Sequence, residues 1–139
     1  MNAFPTILIV VILYNLAVFG GGAAGYHNMQ AILDQSFSVT MFSGDVWRIT
    51  VSDLFELGAL FMLFIETLKA ARTSHRAILN HAFSMLTFTA ALVEFIVLKG
   101  FSTSAFFLIT AMCLFDVVAG YTISIVAAKR DMNVVSQER

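Results

Sequence analysis

Two long apolar runs joined by a short basic turn, spanning residues 53–98, constrain this chain more than any other feature. The first run, 53–71, is apolar apart from Asp53, Glu56, Glu66, Thr67 and Lys69, and the second, 77–98, is similar. At a rise of about 1.5 Å per residue, each is long enough to cross a bilayer core of roughly 30 Å. The turn between them carries Lys69, Arg72, His75 and Arg76 and no acid. Lys and Arg beside span ends resist translocation, so this turn is expected in the cytoplasm, and it orients everything else.

Composition agrees with a bilayer as solvent. Of 139 residues, 59% are apolar and 12% charged, whereas about a quarter are charged in a typical soluble domain. A single integral membrane domain covering 1–139 is therefore expected. A net charge of −1 without a basic patch beyond the span ends argues against nucleic acid. The one cysteine, Cys113, lies in an apolar run, which leaves no disulfide framework, CxxC or zinc pattern.

Taken in order, four spans are expected at about 4–25, 53–71, 77–98 and 105–127. An outer loop at 26–52 and a cytoplasmic tail at 128–139 complete the layout, and residues 131–139 are expected to fray. The first run has no Lys or Arg ahead of it, so it reads as a retained span and not as a signal peptide. Pro5 suits a first helical turn, where its missing N–H costs no bond. The glycine-rich segment at 20–25 reads as a helix end or a close approach of neighbouring backbone. In the loop, Phe37, Val39 and Met41 alternate with polar residues, as do Trp47, Ile49 and Val51, around Ser43-Gly44-Asp45. This is the pattern of a β-hairpin. A lone hairpin is marginal, so it should rest on helix ends or on another chain, with Trp47 at the interfacial level. Ser52 or Asp53 is expected to cap the second span with Glu56 as capping-box partner, Gly100 to end the third, and Ser102, Thr103 or Ser104 to start the fourth. The expected fold class is an all-α four-helix transmembrane bundle with a short extracytoplasmic hairpin between helices 1 and 2. Both termini would be cytoplasmic, in a bacterial inner membrane.

Polar residues fall on stripes. Asn80, Ser84, Thr87, Ala91 and Glu94 are spaced 4, 3, 4, 3, which puts them on one helical seam. Cys113, Asp116, Gly120 and Ser124 form a second seam, and Ser52, Glu56, Ala59, Leu63, Glu66 and Ala70 a third. Small and hydrogen-bonding residues pack helices together where lipid supplies no hydrophobic drive. These seams are the expected core, with most phenylalanines facing lipid.

The ionisable residues inside the spans, Glu56, Glu94, Asp116, Glu66 and His81, admit two readings. As a ladder they would relay protons or a cation across the bilayer. As structural groups, Glu56 caps a helix and Glu66 pairs with Lys69. Glu94 pairs with Lys99 or Asn15, and Asp116 is neutral and bonded to Thr87 or Asn15. Enzymatic readings fare worse. His27, His75 and His81 make no HExxH or ExxH pattern, and the glycine-rich segment lacks the Lys of a phosphate loop. No cofactor or metal site is expected. In outline the layout resembles the claudin-like four-span proteins, whose first outer loop is a sheet carrying a Trp. The resemblance rests on span count, orientation and Trp47; that family's Gly-Leu-Trp motif and paired loop cysteines are missing, so it implies architecture alone. The layout also looks like the small four-span proteins of bacterial inner membranes. The expected function is association, as a homo-oligomer or an accessory subunit of a membrane complex, with the bilayer as the other partner.

This orientation predicts the labelling of single cysteines placed by Ser43→Cys, Ser74→Cys and Ser136→Cys. A membrane-impermeant thiol reagent added to intact cells should modify position 43 and spare 74 and 136. The opposite pattern at 43 and 74 reverses the topology.

Overall fold

The computed structural model describes residues 4–21, 23–70 and 76–137. It is mostly helical: α1 (Leu8–Gly20), α2 (Met29–Leu33), α3 (Val51–Ala70), α4 (Arg76–Val97) and α5 (Ser104–Gln137), with β1 (Ser36–Thr40) and β2 (Val46–Thr50) between α2 and α3. The basic turn with Arg72, Ser74 and His75 lies outside the described residues.

The hairpin is antiparallel, with Phe37 opposite Ile49 and Val39 opposite Trp47. Its turn is closed by Gly44 N–H donating to Met41 O at 2.9 Å and Met41 N–H to Asp45 O at 2.8 Å. Gly44 has φ +92°, a conformation that a residue with a Cβ rarely adopts. β2 then runs directly into α3.

Several boundaries differ from expectation, each for a local reason. The cap of α3 is Thr50, one turn ahead of the expected pair. The Asp53 Oδ2 accepts the Thr50 N–H and hydroxyl, both at 2.7 Å, and the Thr50 hydroxyl accepts the Asp53 N–H at 3.1 Å. That is a capping box displaced by three residues; Glu56 instead accepts the Ser52 hydroxyl at 3.1 Å. Two boundaries fall as expected: Gly100, with φ +92°, follows α4, and Thr103 caps α5 by accepting the Phe106 N–H at 3.2 Å. α5 does not fray at 131 but continues to Gln137, since nothing after Gly120 breaks a helix and Ala127, Ala128, Lys129 and Arg130 favour one. The loop also holds α2, capped by the Asn28 side chain accepting the Ala31 N–H at 2.9 Å.

The first run is the largest departure. α1 has 13 residues, about 20 Å of helix, because Pro5 to Ile7 form turns on one side and the glycines form turns on the other. Two helical segments, Leu79–Val97 and Ser104–Val126, are long and apolar enough to cross a membrane. α3 has 20 residues, but Asp53, Glu56, Glu66 and Lys69 crowd its ends.

α5 packs against both α3 and α4, and α1 lies against all three. Towards the hairpin end the core is aromatic. The Tyr14 ring packs 5.2 Å from Phe55 and 4.6 Å from Phe106, with Phe101 at 5.9 Å. Its hydroxyl shares a 2.6 Å hydrogen bond with Thr103 Oγ1, the partner that a buried phenol needs. Ile7, Val10, Val11, Ile109 and Cys113 continue the core away from the hairpin.

Gly44→Val should cost about 1–2 kcal/mol, since it forces a β-branched residue into the left-handed region. A lower melting temperature by circular dichroism checks this, and Gly44→Asn, which tolerates positive φ, should lose less.

Candidate functional site

The three seams meet. Ala59 and Glu66 of α3, Asn80, Ser84, Thr87 and Ala91 of α4, and Cys113, Asp116 and Gly120 of α5 are all buried. Ser124, Glu56 and Glu94 are half-buried at the seam ends. The small side chains let the helices approach, which brings the polar members of one helix against those of the next.

At the end away from the hairpin, Glu66 is the centre of this arrangement, with 1% of its side chain exposed. Its Oε2 accepts the Thr6 N–H at 2.7 Å and the Lys69 ammonium at 2.9 Å. The Thr6 hydroxyl lies 2.8 Å from the same oxygen and 2.9 Å from Met62 O, so its one proton serves one of them at a time. Oε1 accepts a short hydrogen bond from Asn80 Nδ2 and a second contact from Lys69 at 3.2 Å. Lys69 also donates to Phe4 O at 3.0 Å. One carboxylate thus fastens the start of α1, the end of α3 and the beginning of α4. A buried carboxylate is tolerated only when paired and hydrogen-bonded in this way.

One turn further into the bundle, the Ser84 hydroxyl faces the Asp116 carboxyl. Beside them the His81 ring packs on Tyr121, with centroids 5.6 Å apart, and its Nε2 shares a 2.7 Å hydrogen bond with Ser124 Oγ. The ring lies against Gly120, where an added Cβ would overlap it. Gly120 is therefore the residue that admits the imidazole.

The remaining acids stand apart from this cluster. Asn15 Nδ2 donates to Glu94 Oε2 at 3.0 Å, which is one of the two pairings open to Glu94 from sequence. Glu94 is ten residues from Ser84 on α4, about 15 Å along the axis. Between them Thr87 turns its hydroxyl to Phe83 O at 2.8 Å, and Ala59, Ala91, Ile109 and Cys113 are buried apolar neighbours. The structure groups Glu66, Asn80, His81, Ser84 and Asp116, and leaves Glu94 and Glu56 outside the group. Asp116 faces Ser84, not Thr87 or Asn15. Thr6 was the residue that the seam pattern missed. It precedes α1, so no helical period marks it, and a hydroxyl following Pro5 at a helix start was the sole signal.

At the other end, Trp47 is exposed on the hairpin face that also carries Phe37 and Val39. Among the described residues, no three His, Cys, Asp or Glu side chains gather as metal ligands do. No protein-family model, curated protein or solved structure matches the chain.

Gly120→Ala should destabilise the protein by about 1–3 kcal/mol, because the new methyl group meets a ring held by Ser124 and Tyr121. Combining it with His81→Ala should recover part of that loss. Additive losses in the double variant mean that the two residues do not share the space.

Proposed function

We propose that the chain is a four-span membrane protein of a bacterial inner membrane, with both termini cytoplasmic, that acts by association as a homo-oligomer or an accessory subunit. Four spans are consistent with α3 being about 30 Å long, its charges confined to the two ends where Thr50, Ser52 and Lys69 meet them. α1 reaches further than its helix, through the turns that flank it. Outward-facing Phe61, Phe64, Phe107 and Phe115 fit a lipid-facing surface.

The observation that carries the reading is the hairpin. Alternation along paired strands puts Phe37, Val39, Trp47 and Ile49 on one face and Ser36, Ser38, Arg48 and Thr50 on the other. Phe37, Val39, Met41 and Trp47 are nonetheless 41–56% exposed, and among the described residues each strand has an unpaired edge. A two-stranded ribbon with an uncovered apolar face is marginal unless something covers it. Edge pairing or face burial by another subunit supplies that cover. The seam residues, by contrast, are buried inside the bundle and leave the helical exterior to lipid.

The competing reading, a small proton- or cation-conducting unit using Asp116, Glu94, Glu66, Glu56 and His81, has less support. Between the Asn15–Glu94 pair and the Asp116 group lie Ala59, Ala91, Ile109 and Cys113, and the Thr87 and Thr110 hydroxyls there are turned back to Phe83 O and Phe106 O of their own helices.

The test is the mass of the native complex in mild detergent. Val39→Ser combined with Trp47→Ser should weaken assembly at least tenfold while shifting monomer stability by only about 0.5 kcal/mol, as expected for exposed positions. Vesicles holding the parent protein and a pH dye should leak no faster than empty ones. An unchanged complex, or proton flux that Asp116→Asn abolishes, would falsify the association reading.

A further inference from the structure

Three buried polar atoms at the α4/α5 contact lack a protein hydrogen-bond partner among the described residues: Asn80 Oδ1, Ser84 Oγ and Asp116 Oδ2. Their side chains are 9%, 1% and 4% exposed. Asn80 and Ser84 are one turn apart on a single stripe of α4, and Ser84 faces Asp116 across the contact with α5. Leaving such groups unpaired in the interior is costly, and native proteins rarely do so.

A count of donors defines what is missing. All three atoms accept hydrogen bonds, and the one hydroxyl proton among them belongs to Ser84. Asn80 Nδ2 is directed at Glu66. The Ser84 proton can serve Asp116 or Asn80 Oδ1 but not both, so at least one of them stays a bare acceptor. Charge tells the same story. Lys69 is held by Glu66 and Phe4 O, so that ion pair is closed and Asp116 is the unmatched carboxyl. The other titratable or charged groups around it are Glu66 and Lys69 from α3 and Cys113 from α5 itself, with His81 of α4 one turn along, against Gly120. α1 brings no charged side chain to it among the described residues.

We propose that Asn80, Ser84 and Asp116 form an internal site for one monovalent cation, either a proton or a sodium ion. Its donors are an amide oxygen, a hydroxyl and a carboxyl, with a single formal negative charge. Oxygen-only donors suit a hard ion, whereas softer metals take nitrogen or sulfur. A divalent ion is normally held by more carboxylates and carbonyls than this site offers. A proton on Asp116 Oδ2 lets Asp116 donate to Ser84 Oγ, and Ser84 then donates to Asn80 Oδ1. The chain continues through Asn80 Nδ2 to Glu66, and all three acceptors are satisfied. A sodium ion satisfies them instead by drawing the three oxygens together, with water completing its shell. Both occupants need Oδ2, so each excludes the other.

The test uses the purified full chain in detergent, unfolded by heat in sodium chloride or choline chloride at equal ionic strength, at pH 5.5 and 8.5. With sodium as the occupant, its stabilising effect is present at pH 8.5 and shrinks at pH 5.5. The sodium midpoint rises up to roughly tenfold per pH unit where the proton competes. With the proton as sole occupant, sodium does nothing, and the melting temperature falls as pH rises. Asp116→Asn provides a permanent amide donor in place of either cation. It should therefore fold and should abolish the sodium response, or the pH response, that the parent shows. Ser84→Ala removes one oxygen while preserving the helix and the carboxyl, and should raise the sodium midpoint several-fold in the first case. His81→Gln separates imidazole titration from the site and should keep the parent's response. If Asp116→Asn and the parent respond alike to sodium and to pH, the site does not exist.

Discussion

A carboxylate taken out of water has to be met on both oxygens, and the packing of this protein follows from how Glu66 is met. Removing one partner of such a group strands a buried charge, at a cost of about 3–5 kcal/mol. Its partners come from three places in the chain: Lys69 one turn along α3, Asn80 across the turn, and Thr6 at the other end of the sequence. Thr6 is the contact that docks the start of α1. Pro5 leaves that region without one N–H, and the Thr6 N–H beside it is the donor that Glu66 takes up.

From that anchor the bundle divides into two halves of different character. Towards the hairpin, Tyr14, Phe55, Phe101 and Phe106 fill the interior, and the Tyr14 phenol is bonded to the cap residue of α5. Away from the hairpin the interior is polar, held by Glu66, Asn80, Ser84, Asp116 and His81. Under the membrane reading proposed above, the aromatic half adds little specificity, because lipid competes equally for the same surface. Hydrogen bonds between helices are individually modest, about 0.5–2 kcal/mol. They are directional, however, and fix the axial register that apolar contacts leave loose.

The hairpin belongs to neither half. β2 enters α3 through the Thr50–Asp53 box, so its direction is tied to the helix although its faces are uncovered. The loop is held to the bundle by Val51 N–H donating to Gln35 O at 2.9 Å, and by Met29 and Leu33 of α2, which are buried. The ribbon is exposed and lies at the opposite end of the bundle from the buried polar group.

Much of this was legible in the sequence because it is local. Helical period alone assigned Asn80, Ser84, Thr87, Cys113, Asp116 and Gly120 to inward stripes, and alternation around Gly44 gave both strands within a residue. Composition could not say where the first run stops being helical, since Pro5 and the glycines at 20–25 permit a span of any length between them. Nor could it choose partners. A period gives the face of a helix but not its rotation or axial height against a neighbour, and those are set by packing all the helices at once. The pairing of Glu66 with Thr6 across 60 residues and of Glu94 with Asn15 across 79, and the placing of Ser84 opposite Asp116, were decided only in the tertiary structure. So was the separation of the two polar groups along the bundle, with Ala59, Ala91 and Cys113 buried between them.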